Sequence, residues 1–212
     1  LKLSKDKVFG VMVEVNSETD FVARDENFLN FVNDVVDKAF DNKTDDVLSL
    51  ASGEIEAARQ TLVQKIGENV TVRRAVLHEA PQGVLGGYVH GNNRIAALVM
   101  LEGGTGSLAR DIAMHIAASN PLAIDKNDID KNLVEKELEI IKAEIINSGK
   151  PSEMAEKISS GKISKFLNDN SLLNQIWIMD PKKKVLDILK ENSSIKPLRV
   201  LNFVRYKVGE GV

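Results

Sequence analysis

The chain of 212 residues contains no cysteine, which excludes a disulfide, a thiol nucleophile and a cysteine-ligated zinc ion. It also has no apolar run close to the ~20 residues that span a bilayer. Its net charge of −3 differs from the basic balance that general nucleic-acid binders carry. We therefore expect a cytoplasmic protein that binds neither membranes nor nucleic acid directly.

The composition, with 43% hydrophobic and 28% charged residues, is typical of soluble globular proteins. This length gives room for one large domain or two small ones, each with its own core. The chain opens on Leu1 instead of Met, and both of its ends lie close to strand-like patterns. We expect a fragment or a processed form of a longer protein.

The first 80 residues alternate between strand and helix patterns. In "VFGVMVEV" (8–15), apolar residues recur at every second position, as in a strand with one strongly apolar face. Asp25 is a plausible N-cap for the helix that follows. The apolar stripe of this helix consists of Phe28, Phe31, Val32, Val35, Val36 and Ala39. A second helical stripe consists of Ile55, Ala58, Leu62 and Ile66. Gly67 is expected to end that helix, and "VTVRRAVLHEA" (70–80) predicts the next strand.

The rest of the chain echoes this order. "GVLGGYVHGNNRIAALVMLEG" (83–103) predicts two strands around an HGNN turn, followed by a small-residue turn and a helix. "KKVLDILKENSSIKPLRVLNFVRYKV" (183–208) predicts a helix and then a strand. We predict an α+β fold of two similar subdomains, each a small antiparallel sheet with helices on one face. The N-terminal subdomain is expected to cover residues 1–82 and the C-terminal one residues 83–212.

Residues 130–168 show a different pattern. Apolar residues step by four and three positions through charged surroundings, at Val134, Leu138, Ile141 and Ile145. "NSGKPS" (147–152) is expected to break this helix, and Met154, Ile158 and Phe166 would lie on a returning one. We predict a protruding antiparallel helical hairpin, an arm of the second subdomain with no catalytic role.

The glycine-rich segment "EGGTGS" (102–107) suggests one kind of chemistry. Glycines before a helix let backbone amides approach a phosphate group, although this segment lacks the residues that end a P-loop. A tight turn also explains its glycines. An enzyme that handles phosphate groups is therefore kept as the alternative function.

The three histidines are far apart in sequence, and none has the spacing of metal ligands. His115 lies in a helical pattern and is expected to be packed, and His78 is expected at the surface of a strand. His90 differs because the HGNN turn would present its side chain. We expect no catalytic residues, no bound metal and no cofactor.

The position of one phenylalanine is the main open question. In "VNSETDFVARDENF" (15–28), Phe21 stands between an acidic residue and the helix start at Asp25. A continuous helix would place Phe21 and Phe28 on one face, whereas an N-cap at Asp25 would leave Phe21 in a turn of its own. A core position and an exposed position are equally compatible with this pattern.

Five segments in this order resemble the elongation factor Ts family of bacteria and organelles: "VEVNSETDFVARDENF", "KIGENVTVRR", "VLGGYVHGNNRIAALV", "DIAMHIAASNP" and "NSGKPSEMAEKI". The resemblance covers nearly the whole chain. Members of that family are guanine-nucleotide exchange factors that release GDP from elongation factor Tu. The resemblance therefore implies that this chain binds elongation factor Tu and acts on it without being an enzyme.

The resemblance also implies which residues contact the partner. The segment that would enter the GTPase domain consists of Thr19, Asp20, Phe21, Val22 and Ala23. There the aromatic ring would wedge between helices near the nucleotide and disturb the magnesium and phosphate contacts. His90 and Gly91 of the "YxHG" turn would contact the same partner. Family members carry a small helical domain before this core and commonly a helix after "VGEG". This chain has neither, so we expect it to bind more weakly than the intact factor.

Overall fold

The computed structural model describes residues 1–148, 152–193 and 197–211, and of residues 152–155 it describes the backbone alone. Within these ranges, two three-stranded antiparallel sheets and seven α-helices form an α+β fold, as predicted. None of the helices in these ranges is long and apolar enough to cross a membrane.

The chain divides into two compact units. The first unit contains Leu1–Ala117 together with Leu198–Val212, and the second contains Ala118–Pro197. Both sheets belong to the first unit. The expected division between residues 82 and 83 stays a prediction.

The first sheet, sheet A, is formed by β1 (Lys2–Leu3), β2 (Phe9–Asn16) and β3 (Thr71–Glu79), in this order. The helices between β2 and β3 are α1 (Glu26–Asp41), α2 (Val47–Leu50) and α3 (Glu54–Ile66). The Asp25 carboxylate caps α1 by accepting the N–H of Asn27 at 2.8 Å. Gly67 ends α3 in the left-handed conformation, with a φ of 76°. Both helix boundaries confirm the sequence prediction.

The apolar stripe of α3 differs from the prediction at Ala58, which is exposed. Arg59 is half-buried instead, and its Nη1 donates to the carbonyl oxygen of Val70 at 3.0 Å. The Nε of the same side chain donates to Glu56 Oε2 at 2.7 Å. The aliphatic part of an arginine covers apolar surface while its guanidinium group binds acceptors. Arg59 therefore occupies the place in the stripe that was predicted for Ala58.

The second sheet, sheet B, is formed by β4 (Val84–Val89), β5 (Ile95–Glu102) and β6 (Arg199–Lys207). The HGNN turn joins β4 to β5, as predicted. Helix α4 (Gly106–Ser119) packs on this sheet. A Cβ atom at Gly86 would lie 2.1 Å from the carbonyl carbon of Ala109, so the helix approaches the strand at a distance that only glycine allows.

Sheets A and B pack against each other through a buried cluster that contains Met12, Ala80, Leu85 and Leu98. The other face of sheet A packs on α1 and α3 through Val15, Phe28 and Leu62, among others. Strand β2 is therefore buried on both faces, although its sequence indicates one strongly apolar face.

A carboxylate lies on the inner face between the sheets. Glu14 is 3% exposed, and its oxygens accept hydrogen bonds from Arg73 Nη1 at 2.9 Å and from Arg74 Nε at 2.5 Å. The N–H of Gly209 donates to the same carboxylate at 3.1 Å. Burial on its own would raise the pKa of Glu14, but these hydrogen bonds hold the pKa below its usual value. The turn after β6 is thereby attached to sheet A.

The second unit contains α5 (Lys131–Asn147), α6 (Ser152–Asp169) and α7 (Val185–Glu191). The predicted stripe of α5 faces inward, since Ile141 and Ile145 are buried and Val134 and Leu138 are half-buried. Lys162 Nζ of α6 donates to Glu144 Oε2 of α5 at 2.6 Å, so the two helices form the predicted hairpin. The predicted break includes residues 149–151, which lie outside the described residues, as does the side chain of Met154.

Candidate partner-binding site

Phe21 lies outside the core, with 88% of its surface exposed. It stands at the start of a short 3-10 turn, Val22–Arg24, which precedes α1. The next side chain, Val22, is buried in the same cluster as Phe28. Of the two positions that the sequence pattern left open for Phe21, the structure has the exposed one.

The backbone on both sides of Phe21 is held by hydrogen bonds. The carbonyl oxygen of Thr19 accepts the N–H of Ala23 at 3.2 Å, and Thr19 Oγ1 accepts the N–H of Val22 at 3.4 Å. The N–H of Asp25 then donates to the carbonyl oxygen of Val22 at 2.9 Å. The exposed ring therefore projects from a short segment of ordered backbone.

Glu68, which follows Gly67 at the end of α3, holds this loop from the other side. Its Oε2 accepts the N–H of Thr19 at 2.9 Å, and its Oε1 accepts the hydroxyl of Thr19 at 2.6 Å. No local sequence pattern connects Glu68 with Thr19, because 49 positions separate the two residues. Its presence in the "KIGENVTVRR" segment was the only available signal.

Asp20 forms an ion pair with the guanidinium group of Arg94, which follows the HGNN turn. Both side chains are largely exposed, so the pair contributes little to the free energy of unfolding. It nevertheless links the two predicted contact segments, since one carries Asp20 and Phe21 and the other begins at His90. Arg94 is a second residue that the sequence analysis did not identify.

The HGNN turn has a fixed backbone and exposed side chains. The N–H of His90 donates to the carbonyl oxygen of Ile95 at 2.8 Å, and Asn93 adopts the left-handed conformation with a φ of 57°. His90 and Gly91 are both exposed, as the turn pattern predicts. The His90 ring lies beside Tyr88, with 6.4 Å between the ring centroids.

A cleft of about 550 Å³ lies beside these two segments. Its lining includes Thr19 and Asp20 of the Phe21 loop and Asn92 and Arg94 of the HGNN turn region. Side chains of α1 and sheet A also line it, among them Leu29, Val32, Met12 and Val13. The two segments thus border one cleft of the first unit.

The glycine-rich segment before α4 forms a tight turn. Gly103 and Gly104 have φ values of 77° and 80°, which side-chain-bearing residues rarely adopt. Thr105 Oγ1 accepts the N–H of Leu108 at 3.2 Å and so caps the helix. Turn geometry and capping account for the residue types of this segment.

The other two histidines, His78 and His115, do not line the cleft beside the Phe21 loop. His115 is fully buried in α4, as predicted. His78 lies in β3 and is half-buried, and burial lowers its pKa while the charge of Asp45 opposes that shift. Asp45 lies against the edge of β3, where its Oδ2 accepts the N–H of Leu77 at 3.3 Å. Among the described residues, no group of three or more histidine, aspartate or glutamate side chains is placed to hold a metal ion.

Known proteins resemble this chain over its whole length. A family model described as "Elongation factor TS" matches residues 18–210. The protein named Elongation factor Ts from Hahella chejuensis (strain KCTC 2396) is 53% identical over 212 residues, which are 100% of this chain and 72% of that protein. The namesake from Saccharophagus degradans (strain 2-40) has the same identity and coverage. That from Legionella pneumophila (strain Paris) is 46% identical over 215 residues, covering 99% of this chain and 72% of its own.

Proposed function

This chain belongs to the elongation factor Ts family, and we propose that it is a guanine-nucleotide exchange factor that binds elongation factor Tu and promotes the release of GDP during translation elongation. It acts in the cytoplasm by binding and catalyses no reaction of its own. The observation that carries this proposal is the 88% exposure of Phe21 on a loop whose backbone is held on both sides.

An exposed phenylalanine on ordered backbone is suited to insertion into a partner. Burying such a side chain contributes roughly 1.5–3 kcal/mol. Since the hydrogen bonds of Thr19 and Val22 already fix the backbone, little conformational entropy is lost when the ring is buried. In the proposed complex, Thr19–Ala23 enter the GTPase domain. The Val22 side chain stays in the core of this protein, and the exposed ring of Phe21 separates helices near the nucleotide and weakens the magnesium and phosphate contacts.

Release of a tightly bound nucleotide requires a difference in affinity. The exchange factor has to bind the empty GTPase more tightly than the GDP-bound form, and this coupling is reciprocal. The burial of Phe21 corresponds to about one to two decades in an equilibrium constant. A wider interface is needed for the remaining coupling. His90 and Gly91 supply one further part of it, because the Asp20–Arg94 ion pair links their turn to the Phe21 loop.

The test is a GDP-release assay on bacterial elongation factor Tu loaded with a fluorescent GDP analogue. In the presence of excess unlabelled GDP, this chain should accelerate release of the analogue at catalytic concentration and remain chemically unchanged. Asp20→Ala and Phe21→Ala should each slow release, and the double variant should lose less than the sum of the two, because both residues act in one contact. Release at the spontaneous rate in the presence of the wild-type chain would reject the proposal.

A further inference from the structure

The position of the Phe21 ring depends on a residue outside the loop. The ring is exposed, so contacts with the core do not fix it, and its position follows from the backbone that carries it. Thr19, two residues earlier, is bound by both oxygens of the Glu68 carboxylate, at 2.9 Å through its N–H and at 2.6 Å through its hydroxyl. The same threonine accepts the N–H groups of Val22 and Ala23, one and two residues after Phe21. Thr19 therefore connects Glu68 to the turn that presents the ring.

Glu68 is itself well placed to act as a fixed support. It follows Gly67, whose N–H donates to the carbonyl oxygen of Val63 at 2.9 Å and closes the last turn of α3. The next residue, Asn69, donates its N–H to Glu18 Oε1 at 3.3 Å. The Phe21 loop and the turn after α3 thus exchange carboxylate hydrogen bonds in both directions. These bonds continue the pairing of β2 with β3 beyond its last pair, Asn16 and Thr71.

The location of the contact separates loop position from core stability. Glu68 is half-buried and Thr19 is exposed, and neither belongs to the buried clusters of the first unit. Loss of the carboxylate leaves a backbone N–H and a hydroxyl that water can reach. The free energy of unfolding should therefore change little, while the conformations open to residues 17–21 increase.

We infer that Glu68 is a positioning residue for nucleotide exchange, which sets the direction of the Phe21 side chain through its two hydrogen bonds to Thr19. This inference rests on the proposed function. It adds a residue that does not itself contact elongation factor Tu but determines how well the contact residue fits.

The test compares three variants in the GDP-release assay. Glu68→Ala should slow stimulated release about tenfold, the factor that corresponds to one or two hydrogen bonds. Glu68→Gln should recover part of the rate, because an amide oxygen accepts one of the two hydrogen bonds while its NH₂ group accepts none. Glu79→Ala is the matched control, because it removes the same charge from an exposed glutamate at the opposite end of β3. It should exchange at the wild-type rate.

A double-mutant cycle then separates positioning from a general loss of structure. If Glu68 acts through Phe21, Glu68→Ala should slow release much less in the Phe21→Ala background than in the wild type. Each rate is compared with the rate of spontaneous GDP release, which is the slowest rate that any variant can show. NMR hydrogen exchange gives a readout that is independent of the partner. The Thr19 amide should be protected in the wild type and should exchange rapidly in Glu68→Ala.

Several results would overturn the inference. They are a wild-type rate for Glu68→Ala, equal effects of that change with and without Phe21, and unchanged protection of the Thr19 amide. A melting temperature as low as that of the core variant Phe28→Ala would make Glu68 a stability residue instead. The proposed function fails separately: it is rejected if the wild-type chain does not accelerate release. If the wild type is active and Phe21→Ala is slow but Glu68→Ala is normal, the positioning role alone is wrong.

Discussion

Replacement of Phe21 by alanine should separate stability from function. A phenylalanine side chain that is fully covered buries roughly 150–250 Å² of surface. At 88% exposure, only about an eighth of this area, roughly 20–30 Å², is removed from water in the free protein. At about 25 cal/mol per Å², the loss in the free energy of unfolding is ~0.5–0.8 kcal/mol. For a chain of this size, that lowers the melting temperature by about 1–3 °C.

Phe28 provides the matched control, because it is the same residue type seven positions later and is 5% exposed. Phe28→Ala should lose about 3–5 kcal/mol and lower the melting temperature by roughly 6–20 °C. Thermal unfolding followed by circular dichroism measures both. GDP release is then measured well below the lower of the two melting temperatures. Phe21→Ala should be slower than wild type by about one to two decades, the factor that the burial of the ring provides.

Two results would refute this reasoning. A loss of several kcal/mol in Phe21→Ala would mean that the ring is packed in the free protein. A normal release rate in a stable Phe21→Ala variant would mean that exchange does not use the ring.

Three further predictions concern other parts of the chain. Glu14→Gln should lower the free energy of unfolding at pH 7 by about 2–4 kcal/mol, since two partly exposed arginines lose a buried partner, whereas the exposed control Glu79→Gln should change it little. The pKa of Glu14 is lowered on folding, so the stabilisation by its carboxylate is fully present above the unfolded pKa of 4.5 and is lost as the pH falls through the lower folded pKa. Denaturant titrations from pH 7 to pH 3 should therefore show a steeper loss of stability for wild type than for Glu14→Gln. Parallel curves for the two proteins would contradict this. His90→Ala should slow GDP release by a few-fold and keep the melting temperature, and a loss of bound metal in that variant would instead indicate a ligand role. A Gly/Ser linker in place of residues 130–168 should leave cooperative thermal unfolding of the first unit, and a molten or aggregated product would show that the arm is part of the core.

Local patterns predicted most of the secondary structure because the signals lie within a few residues of each other. The N-cap at Asp25, the left-handed end of α3 at Gly67 and the inward stripe of α5 are all as the sequence indicates. The packing of sheet A on sheet B was not predicted. One face of β2 carries Gly10 and Glu14, which suggests solvent, yet Glu14 is buried because arginines 59 and 60 positions later neutralise it. Such pairs have no signature in a local pattern.

The candidate site shows the same limit. The pattern identified Phe21 as a residue that requires an explanation, but left its position open. The loop that carries the ring makes contacts with segments that are distant in sequence, namely Thr19 with Glu68 and Asp20 with Arg94. A motif names the residues that contact a partner more easily than the residues that hold them in place.

The order of the strands in sheet B has a consequence for the synthesis of the chain. β5 ends at Glu102, and its neighbour β6 begins at Arg199, with the whole second unit between them. At ribosomal rates, these roughly 100 residues take about 5–20 s to add. During that time the edge of β5 that later pairs with β6 is open, and an open strand edge is a template for pairing with another chain. The second unit is continuous in sequence and can fold while it emerges, whereas sheet B, on which sheet A packs, is completed only after β6 has been made.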